Sequence, residues 1–176
     1  VVGVAVAGIG ALLRRAEPGR EALGLEVEAS PVPIASVSTF DPDGTGEPGE
    51  MDQQLAFVLD GDPATTWRTE RYNTRAFGGL KSGVGLVVAV DEVADLHELE
   101  MRSPPRGWAA EVYVSTTGGA VLSDWGTPVD RQDGIPGDTT FDLGGQEGAM
   151  VLLWITDLGD GDPRVAAEVA EVVVLA

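Results

Sequence analysis

The sequence predicts an all-β sandwich. Apolar side chains recur in runs of strand length, several of them alternating with polar residues, and no stretch shows the period of a long amphipathic helix. The chain is also rich in turn-forming residues, with 24 glycines and 11 prolines. Its 176 residues suffice for one domain with a buried core and a short additional segment.

The predicted strands differ in how their two faces are covered. A first strand at 34–40 ends in an acidic turn, and a single helical turn is predicted at 55–59. Residues 84–90 form a nearly continuous apolar run, as expected of a strand that is covered on both faces. Two later segments alternate polar and apolar side chains, as half-buried strands do. These are 98–102 and 111–115, and the remaining predicted strands are 139–143, 150–156 and 169–175.

The N-terminal part of the chain differs in composition. Residues 1–13 are all apolar or glycine, which is too short to cross a bilayer that needs about 20 apolar residues. We interpret 1–13 as the end of a truncated transmembrane helix, and a buried terminal strand or helix is the alternative. Residues 14–33, with several Glu, Pro and Gly, predict a polar linker, and 34–176 is the predicted sandwich domain.

Charge and composition exclude several functions. The 11 basic and 29 acidic residues give a net charge of −18, which opposes binding to nucleic acid or to an anionic membrane surface. Neutral sugars, cations and basic protein patches stay possible partners. The chain has no cysteine and a single histidine, His97, so thiol catalysis and multi-histidine metal sites are excluded.

One short motif carries more information than any other segment. It is Asp60-Gly61-Asp62-Pro63-Ala64-Thr65-Thr66-Trp67, which combines a turn, two carboxylates, two hydroxyls and a large aromatic residue. Glycine tolerates a positive φ, proline fixes φ, and Asp and Thr oxygens bond local amides or hold a hard cation. Trp67 is predicted to lie in the core.

The motif resembles the Asp-Gly-Asp-x-x-Thr-x-Trp signature of discoidin-like domains, also called F5/8 type C or galactose-binding-like domains. The resemblance extends along 34–176: a strand ends in Val88-Ala89-Val90-Asp91, and the chain closes on Val169-Ala170-Glu171-Val172-Val173-Val174. It implies a galactose-binding-like jelly-roll β-sandwich.

Further strings resemble the C-terminal extracytoplasmic domain of actinobacterial MurJ/MviN-like membrane proteins and of related membrane-anchored kinase-like proteins. They are Ser38-Thr39-Phe40-Asp41-Pro42, Trp67-Arg68-Thr69-Glu70-Arg71-Tyr72, Phe77-Gly78-Gly79-Leu80-Lys81 and Val151-Leu152-Leu153-Trp154-Ile155-Thr156. This resemblance implies a location on the extracytoplasmic face of the cell membrane, after a single membrane anchor.

The discoidin-like resemblance also implies one structural Ca²⁺. The matching positions are Asp62 and Thr65 in the turn and Glu171 in the last strand, and the alternative is a turn in which Asp62 only caps backbone amides. A second acidic segment, 41–47, has oxygen-bearing side chains at alternate positions, like the first half of a twelve-residue calcium loop. The twelfth position counted from Asp41 is however Asp52 rather than the Glu of such a loop. We interpret that segment as a solvated turn.

Candidate ligand-binding residues lie in two predicted loops, because loops at one end of a sandwich carry its binding sites. An aromatic ring that stacks on a sugar, combined with hydrogen-bonding groups, is the pattern sought. For Tyr72 and Trp108 a core position is the alternative, and Arg68 has an ion pair as its alternative. The candidates are Arg68, Arg71, Tyr72, Asn73, Arg106 and Trp108.

The sequence therefore predicts a non-catalytic binding module of a membrane-anchored cell-envelope protein. The resemblance implies a saccharide or glycan-containing ligand connected with peptidoglycan synthesis, with an envelope protein as the other possible partner. The alternative is a protein–protein interaction or spacer domain without a small ligand. Neither a phosphate-binding loop nor a nucleophile elbow is present in the sequence, and paired carboxylates discriminate poorly among 29 acids.

Overall fold

The computed structural model describes residues 29–44, 50–104, 107–160 and 164–176. Short 3-10 segments lie at Asp52–Leu59, Phe77–Gly79 and Leu122–Trp125. The strands are β1 (Ile34–Phe40), β2 (Trp67–Arg68), β3 (Val84–Arg102), β4 (Trp108–Ser115), β5 (Asp130–Ile135), β6 (Thr139–Asp157), β7 (Glu168–Val169) and β8 (Glu171–Leu175). The all-β prediction is confirmed.

The strands pair antiparallel around two long central strands. The main sheet has the order β1–β3–β6–β4–β5, and β2 and β7 form a separate two-stranded sheet. β3 pairs along its length with β6, while its other edge pairs first with β1 and then with β8. Because one edge of β3 serves two different strands in turn, β3 passes from one layer of the sandwich to the other.

The bends in β3 and β6 explain a difference from the sequence-based expectation. Residues 84–90 and 98–102 were predicted as two strands, and so were 139–143 and 150–156, but each pair forms one strand of 19 residues. The intervening corners are mostly solvent-exposed, with Asp91 and Glu92 in β3 and two positive-φ glycines, Gly144 and Gly145, in β6. Polar residues and glycine at a corner give the same pattern as a loop between strands.

Apolar residues fill both faces of the central sheet. Leu86, Val151 and Leu153 belong to the main core between the layers. On the opposite face, Phe40 contacts Trp125 and Trp154 edge-to-face, with ring centroids 5.9 and 5.6 Å apart. This second cluster includes Leu152 and Tyr113, next to the 3-10 segment Leu122–Trp125. Coverage of both faces accounts for the continuous apolar runs, as predicted for 84–90.

The domain begins before the predicted boundary at residue 34. Ser30 exchanges two backbone hydrogen bonds with Ala176, of 2.9 and 3.0 Å, and the Val32 N–H donates to the Val174 carbonyl at 2.9 Å. The described end of the predicted linker therefore pairs with β8. The predicted membrane segment 1–13 and the rest of the linker up to residue 28 lie outside the described residues. Within the described ranges, no helix has the length and apolar character that a membrane span requires.

Candidate functional site

The motif that begins at Asp60 leads into a narrow antiparallel ribbon. We define the ribbon as residues 67–73 and 164–169, with β2 and β7 as its regular part. Beyond β2, the Thr69 N–H donates to the Ala167 carbonyl, and Tyr72 and Val165 exchange backbone hydrogen bonds of 2.9 and 3.0 Å. The ribbon therefore continues for several residues past the regular strand.

The ribbon contains a β-bulge. Trp67 pairs with Val169, and Tyr72 pairs with Val165. Between these two pairings, the segment 67–73 therefore has one more residue than the facing segment 164–169. The extra residue falls at Glu70–Arg71, and both side chains are exposed. A bulge leaves a backbone amide without a ladder partner and redirects side chains. Here it turns Arg71 towards solvent.

The aromatic side chains of the ribbon face the core. Trp67 is fully buried, as predicted, and its indole Nε1 donates to the Glu50 carbonyl at 2.6 Å. Tyr72 is only 6% exposed, and Trp108, at the start of β4, is 0% exposed with its indole donating to Ser103 Oγ. The prediction that Tyr72 and Trp108 offer stacking faces to a sugar is therefore wrong. Both rings belong to the core: the bulge shifts the alternation of the ribbon so that Tyr72 faces inward like Trp67, and Trp108 lies at a buried position of β4.

The polar candidates lie on the outer face of the same ribbon. Arg71 and Asn73 are exposed and Arg68 is half-buried. Asn73 and Arg164, which is also exposed, are the next residues beyond the Tyr72–Val165 pairing, so regular antiparallel geometry places them opposite each other. Arg164 was missed in the sequence because it is remote from the motif along the chain. Arg106 lies outside the described residues.

A buried carboxylate holds the ribbon in place. Glu50 is 0% exposed, and its Oε2 accepts the N–H of Glu70, the residue at the bulge. Its Oε1 accepts the Tyr72 hydroxyl and the Lys81 ammonium, each at 2.5 Å. Sequence reasoning missed Glu50 because one acid among 29 carries no local signal. Its position satisfies the amide that the bulge frees from the ladder.

Lys81 connects Glu50 to the acidic turn after β1. We call Asp41, Glu50, Tyr72 and Lys81 the Glu50 cluster. Lys81 donates to Asp41 Oδ2 at 2.6 Å, and its Nζ lies 5.8 Å from the centre of the Tyr72 ring. Burial raises the pKa of Tyr72, and the Glu50 carboxylate adds to the rise. Burial opposes the charge on Lys81, but hydrogen bonds to Asp41 and Glu50 outweigh it, so the pKa of Lys81 is raised.

The Asp60 turn is organised by its own side chains. Asp60 Oδ1 accepts the Asp62 N–H and its Oδ2 accepts the Thr65 hydroxyl, both at 2.9 Å. Asp62 Oδ1 accepts the Ala64 N–H at 2.9 Å. The hydrogen bonds to Asp62 N–H and then to Thr65 lower the pKa of Asp60. Asp62 therefore caps the backbone amide of Ala64, which is the predicted alternative to a role as a calcium ligand.

The last strand does reach the Asp60 turn, as predicted. Burial raises the pKa of Glu171, the Gly61 N–H opposes that rise, and the Asp60 carboxylate adds to it. Glu171 Oε1 is buried and has no hydrogen-bond partner among the described residues. The carboxylate next to Glu171 is that of Asp60, so the prediction that Asp62 fills this place is corrected. Among the described residues, no three acidic or histidine side chains form a metal-binding group.

A pocket of about 340 Å³ lies between the Asp60 turn and the end of β3. Its walls include Pro63, Pro104 and the ion pair Arg102–Asp138, in which Nε and Oδ2 are 3.5 Å apart. Ser103, whose hydroxyl accepts the Trp108 indole N–H, also lines it. The described walls hold no aromatic side chain. The described walls of this pocket therefore offer no ring on which a sugar could stack.

No protein-family model matches this sequence. The fold is similar to that of solved carbohydrate-binding modules. One is the CBM32 of AlyQ in complex with 4,5-unsaturated mannuronic acid, with a TM-score of 0.58 and 11% identity over 82% of this chain and 97% of that chain. Another is a pectin-binding carbohydrate-binding module, with a TM-score of 0.55 and 12% identity over 81% and 91% of the two chains.

A third similar structure is the family 32 module of NanJ from C. perfringens in complex with galactose. Its TM-score is 0.53, with 14% identity over 80% of this chain and 93% of that chain. At such low identities the likeness concerns the fold, and it confirms the predicted galactose-binding-like sandwich. The resemblance to MurJ/MviN-like and kinase-like proteins stays a prediction from the sequence.

Proposed function

We propose that the chain is a non-catalytic saccharide-binding module that binds its ligand on the outer face of the ribbon. The observation that carries this proposal is the outer face of the ribbon, where Arg71 and Asn73 are exposed and Arg68 is half-buried while the aromatic residues of the ribbon are buried. Guanidinium and amide groups provide the forked hydrogen bonds that sugar hydroxyls accept and donate. The similar fold of known carbohydrate-binding modules supports the same function.

The ligand is held by hydrogen bonds more than by ring stacking. Glu50 fixes the backbone of the bulge, so the backbone at Arg71 needs little reordering when the ligand binds, which reduces the entropy cost of association. The test is a glycan array followed by calorimetry on any positive saccharide. Arg71→Ala and Asn73→Ala are expected to weaken binding without changing the melting temperature. Arg131→Ala, which changes an exposed arginine of β5, is the matched control.

For the cellular context we propose the extracytoplasmic face of the membrane, next to peptidoglycan synthesis. The support is the sequence resemblance described above together with the apolar segment 1–13. A pull-down with purified peptidoglycan and with its soluble fragments tests this context. If the array and the pull-down both show no binding, the alternative of a protein-interaction or spacer domain replaces the saccharide function.

We also propose one structural Ca²⁺ at the Asp60 turn. The donors that fit are the carboxylates of Asp60 and Glu171 with the Thr65 hydroxyl, since hard oxygen atoms suit calcium. The unpartnered buried Glu171 Oε1 beside a second carboxylate is the observation in favour. A cation there links the last strand to the turn and stabilises the folded state. Asp62, which the resemblance implies as a ligand, contributes through its position in the turn.

Thermal melting with chelator and with added calcium tests the ion. Calcium is expected to raise the melting temperature of the native protein and to leave Glu171→Gln unchanged. In chelator, Glu171→Gln is expected to match or exceed the native melting temperature, because it removes the repulsion between two neighbouring carboxylates. A calcium response that survives in Glu171→Gln refutes this site.

A further inference from the structure

The basic side chains of this acidic protein are distributed unevenly. In the described part of the chain, four basic residues form ion pairs: Arg75, Lys81, Arg102 and Arg131. The remaining three, Arg68, Arg71 and Arg164, have no ion-pair partner among the described residues, and all three lie on the ribbon. Although the chain has 29 acidic residues, the described arginines that lack an ion-pair partner therefore all lie on one surface.

From this arrangement we propose that the ligand is an acidic saccharide whose carboxylates are bound by Arg71 and Arg164. This inference rests on the saccharide-binding function proposed above. Guanidinium groups bind carboxylates through two parallel hydrogen bonds, and such charge-assisted bonds are about twice as strong as neutral ones. A neutral sugar would leave the charge of both arginines uncompensated.

The ribbon geometry gives the two arginines a common direction. Arg71 and Asn73 flank the inward-facing Tyr72, and Arg164 flanks the inward-facing Val165. Side chains next to an inward-facing pair point outward, and residues on facing strands are separated by roughly 5–8 Å, directly or diagonally. Two arginines whose backbones have this spacing can bind neighbouring parts of one oligosaccharide, and Asn73 lies beside both of them on the same face.

The charge of the whole molecule does not prevent this binding. The net charge of −18 repels an anion at long range, but charges more than about 8 Å apart are largely screened at physiological ionic strength. At short range the charges of the ribbon itself determine the interaction. Glu70 is exposed beside Arg71 and Glu168 lies opposite Arg68, so the face also carries negative charge that limits it to ligands with well-placed carboxylates.

The experiment compares matched saccharides by calorimetry on the full chain. The probes are a galacturonate oligomer, a mannuronate oligomer, the methyl-esterified galacturonate oligomer and a neutral galactose oligomer of the same length. At least one acidic oligomer is expected to bind about tenfold or more tightly than the esterified form, and its affinity is expected to fall with added salt. Arg71→Gln and Arg164→Gln are each expected to reduce that affinity about tenfold.

Arg131→Gln is the matched control and is expected to leave the affinity unchanged, because that arginine lies on β5, outside the ribbon. Equal affinity for esterified and acidic oligomers overturns the acidic-ligand inference and leaves the saccharide-binding function standing. Acidic binding that both ribbon variants retain overturns the assignment to Arg71 and Arg164. Absence of binding to all four probes and to the glycan array, with normal melting, overturns both proposals.

Discussion

Replacing Glu50 with glutamine tests whether one buried carboxylate stabilises the domain and its ribbon. Glu50 is fully buried and accepts hydrogen bonds from the Tyr72 hydroxyl, the Lys81 ammonium and the Glu70 amide. Glutamine keeps the shape of the side chain but loses the charge. Its NH2 group cannot accept a hydrogen bond, so it faces at least one N–H or O–H group that the Glu50 carboxylate accepts. The variant therefore leaves Lys81 with one carboxylate partner in place of two.

The magnitude follows from the burial of the pair. Removing one partner of a buried ion pair costs roughly 3–5 kcal/mol. Lys81 keeps Asp41 at 2.6 Å, which recovers part of that loss, so we expect Glu50→Gln to cost about 2–4 kcal/mol. At about 2–4 °C per kcal/mol for a domain of this size, the melting temperature is expected to fall by roughly 4–16 °C.

Glu111 offers a matched control. It also accepts a tyrosine hydroxyl, that of Tyr113 at 2.6 Å, and it pairs with Arg131 at 3.1 Å. Its arginine partner is 56% exposed, so Glu111→Gln is expected to cost about 1 kcal/mol or less. Calorimetric or circular-dichroism melting of both variants measures the difference. Equal losses, or no loss for Glu50→Gln, would refute the reasoning from burial.

Exchange of the Glu70 amide with solvent deuterium separates the local effect from the global one. In the native protein this amide donates to Glu50, and it is expected to be protected. In Glu50→Gln it is expected to exchange faster than the Tyr72 amide, whose partner is the Val165 carbonyl at 2.9 Å. Unchanged protection of Glu70 would show that Glu50 stabilises the core without fixing the bulge.

Three further changes have expected outcomes. Trp108→Phe is expected to lower stability by about 1–3 kcal/mol, since it leaves a small void and removes the bond to Ser103, and to leave saccharide affinity unchanged in calorimetry. Gly83→Ala is expected to lower the melting temperature clearly, because a Cβ there would lie 2.5 Å from the Trp154 ring and 2.6 Å from a backbone oxygen. The third change is pH, with the free energy of unfolding measured in chelator. Between the ordinary carboxyl pKa and the raised pKa of Glu171, the folded state binds more protons than the unfolded state, so stability is expected to fall as pH rises through this window. Glu171→Gln is expected to remove that fall.

The features that the sequence predicts well are those with a local pattern. Trp67 follows a turn whose Asp, Gly and Thr residues each have a conformational role, and the structure places it in the core with its turn intact. The apolar runs at 84–90 and 150–156 correspond to strands covered on both faces. Such patterns depend on neighbours along the chain, so the sequence alone predicts them.

The features that were missed depend on distant contacts. β5 has a single buried residue, Ile135, because it is an edge strand, and its polar sequence gives no strand signal. Trp108 follows a Pro-Arg-Gly sequence that is typical of an exposed loop, yet pairing with β5 and β6 places it in the core. Glu50 joins segments up to 31 residues away, and only the tertiary fold distinguishes it from the other acids.

The same long-range contacts change the expected mode of binding. With Tyr72 and Trp108 in the core, the described outer face of the ribbon offers arginine and amide groups, and no aromatic ring of the ribbon. Stacking on a ring favours sugars through their apolar faces, whereas guanidinium groups favour ligands that carry negative charge. Because both rings are buried, the ribbon favours a ligand that carries negative charge over one that is bound by ring stacking. The bulge, which is held by Glu50, turns Arg71 outward. Tight binding then requires a saccharide with a carboxylate that can accept hydrogen bonds from the Arg71 guanidinium.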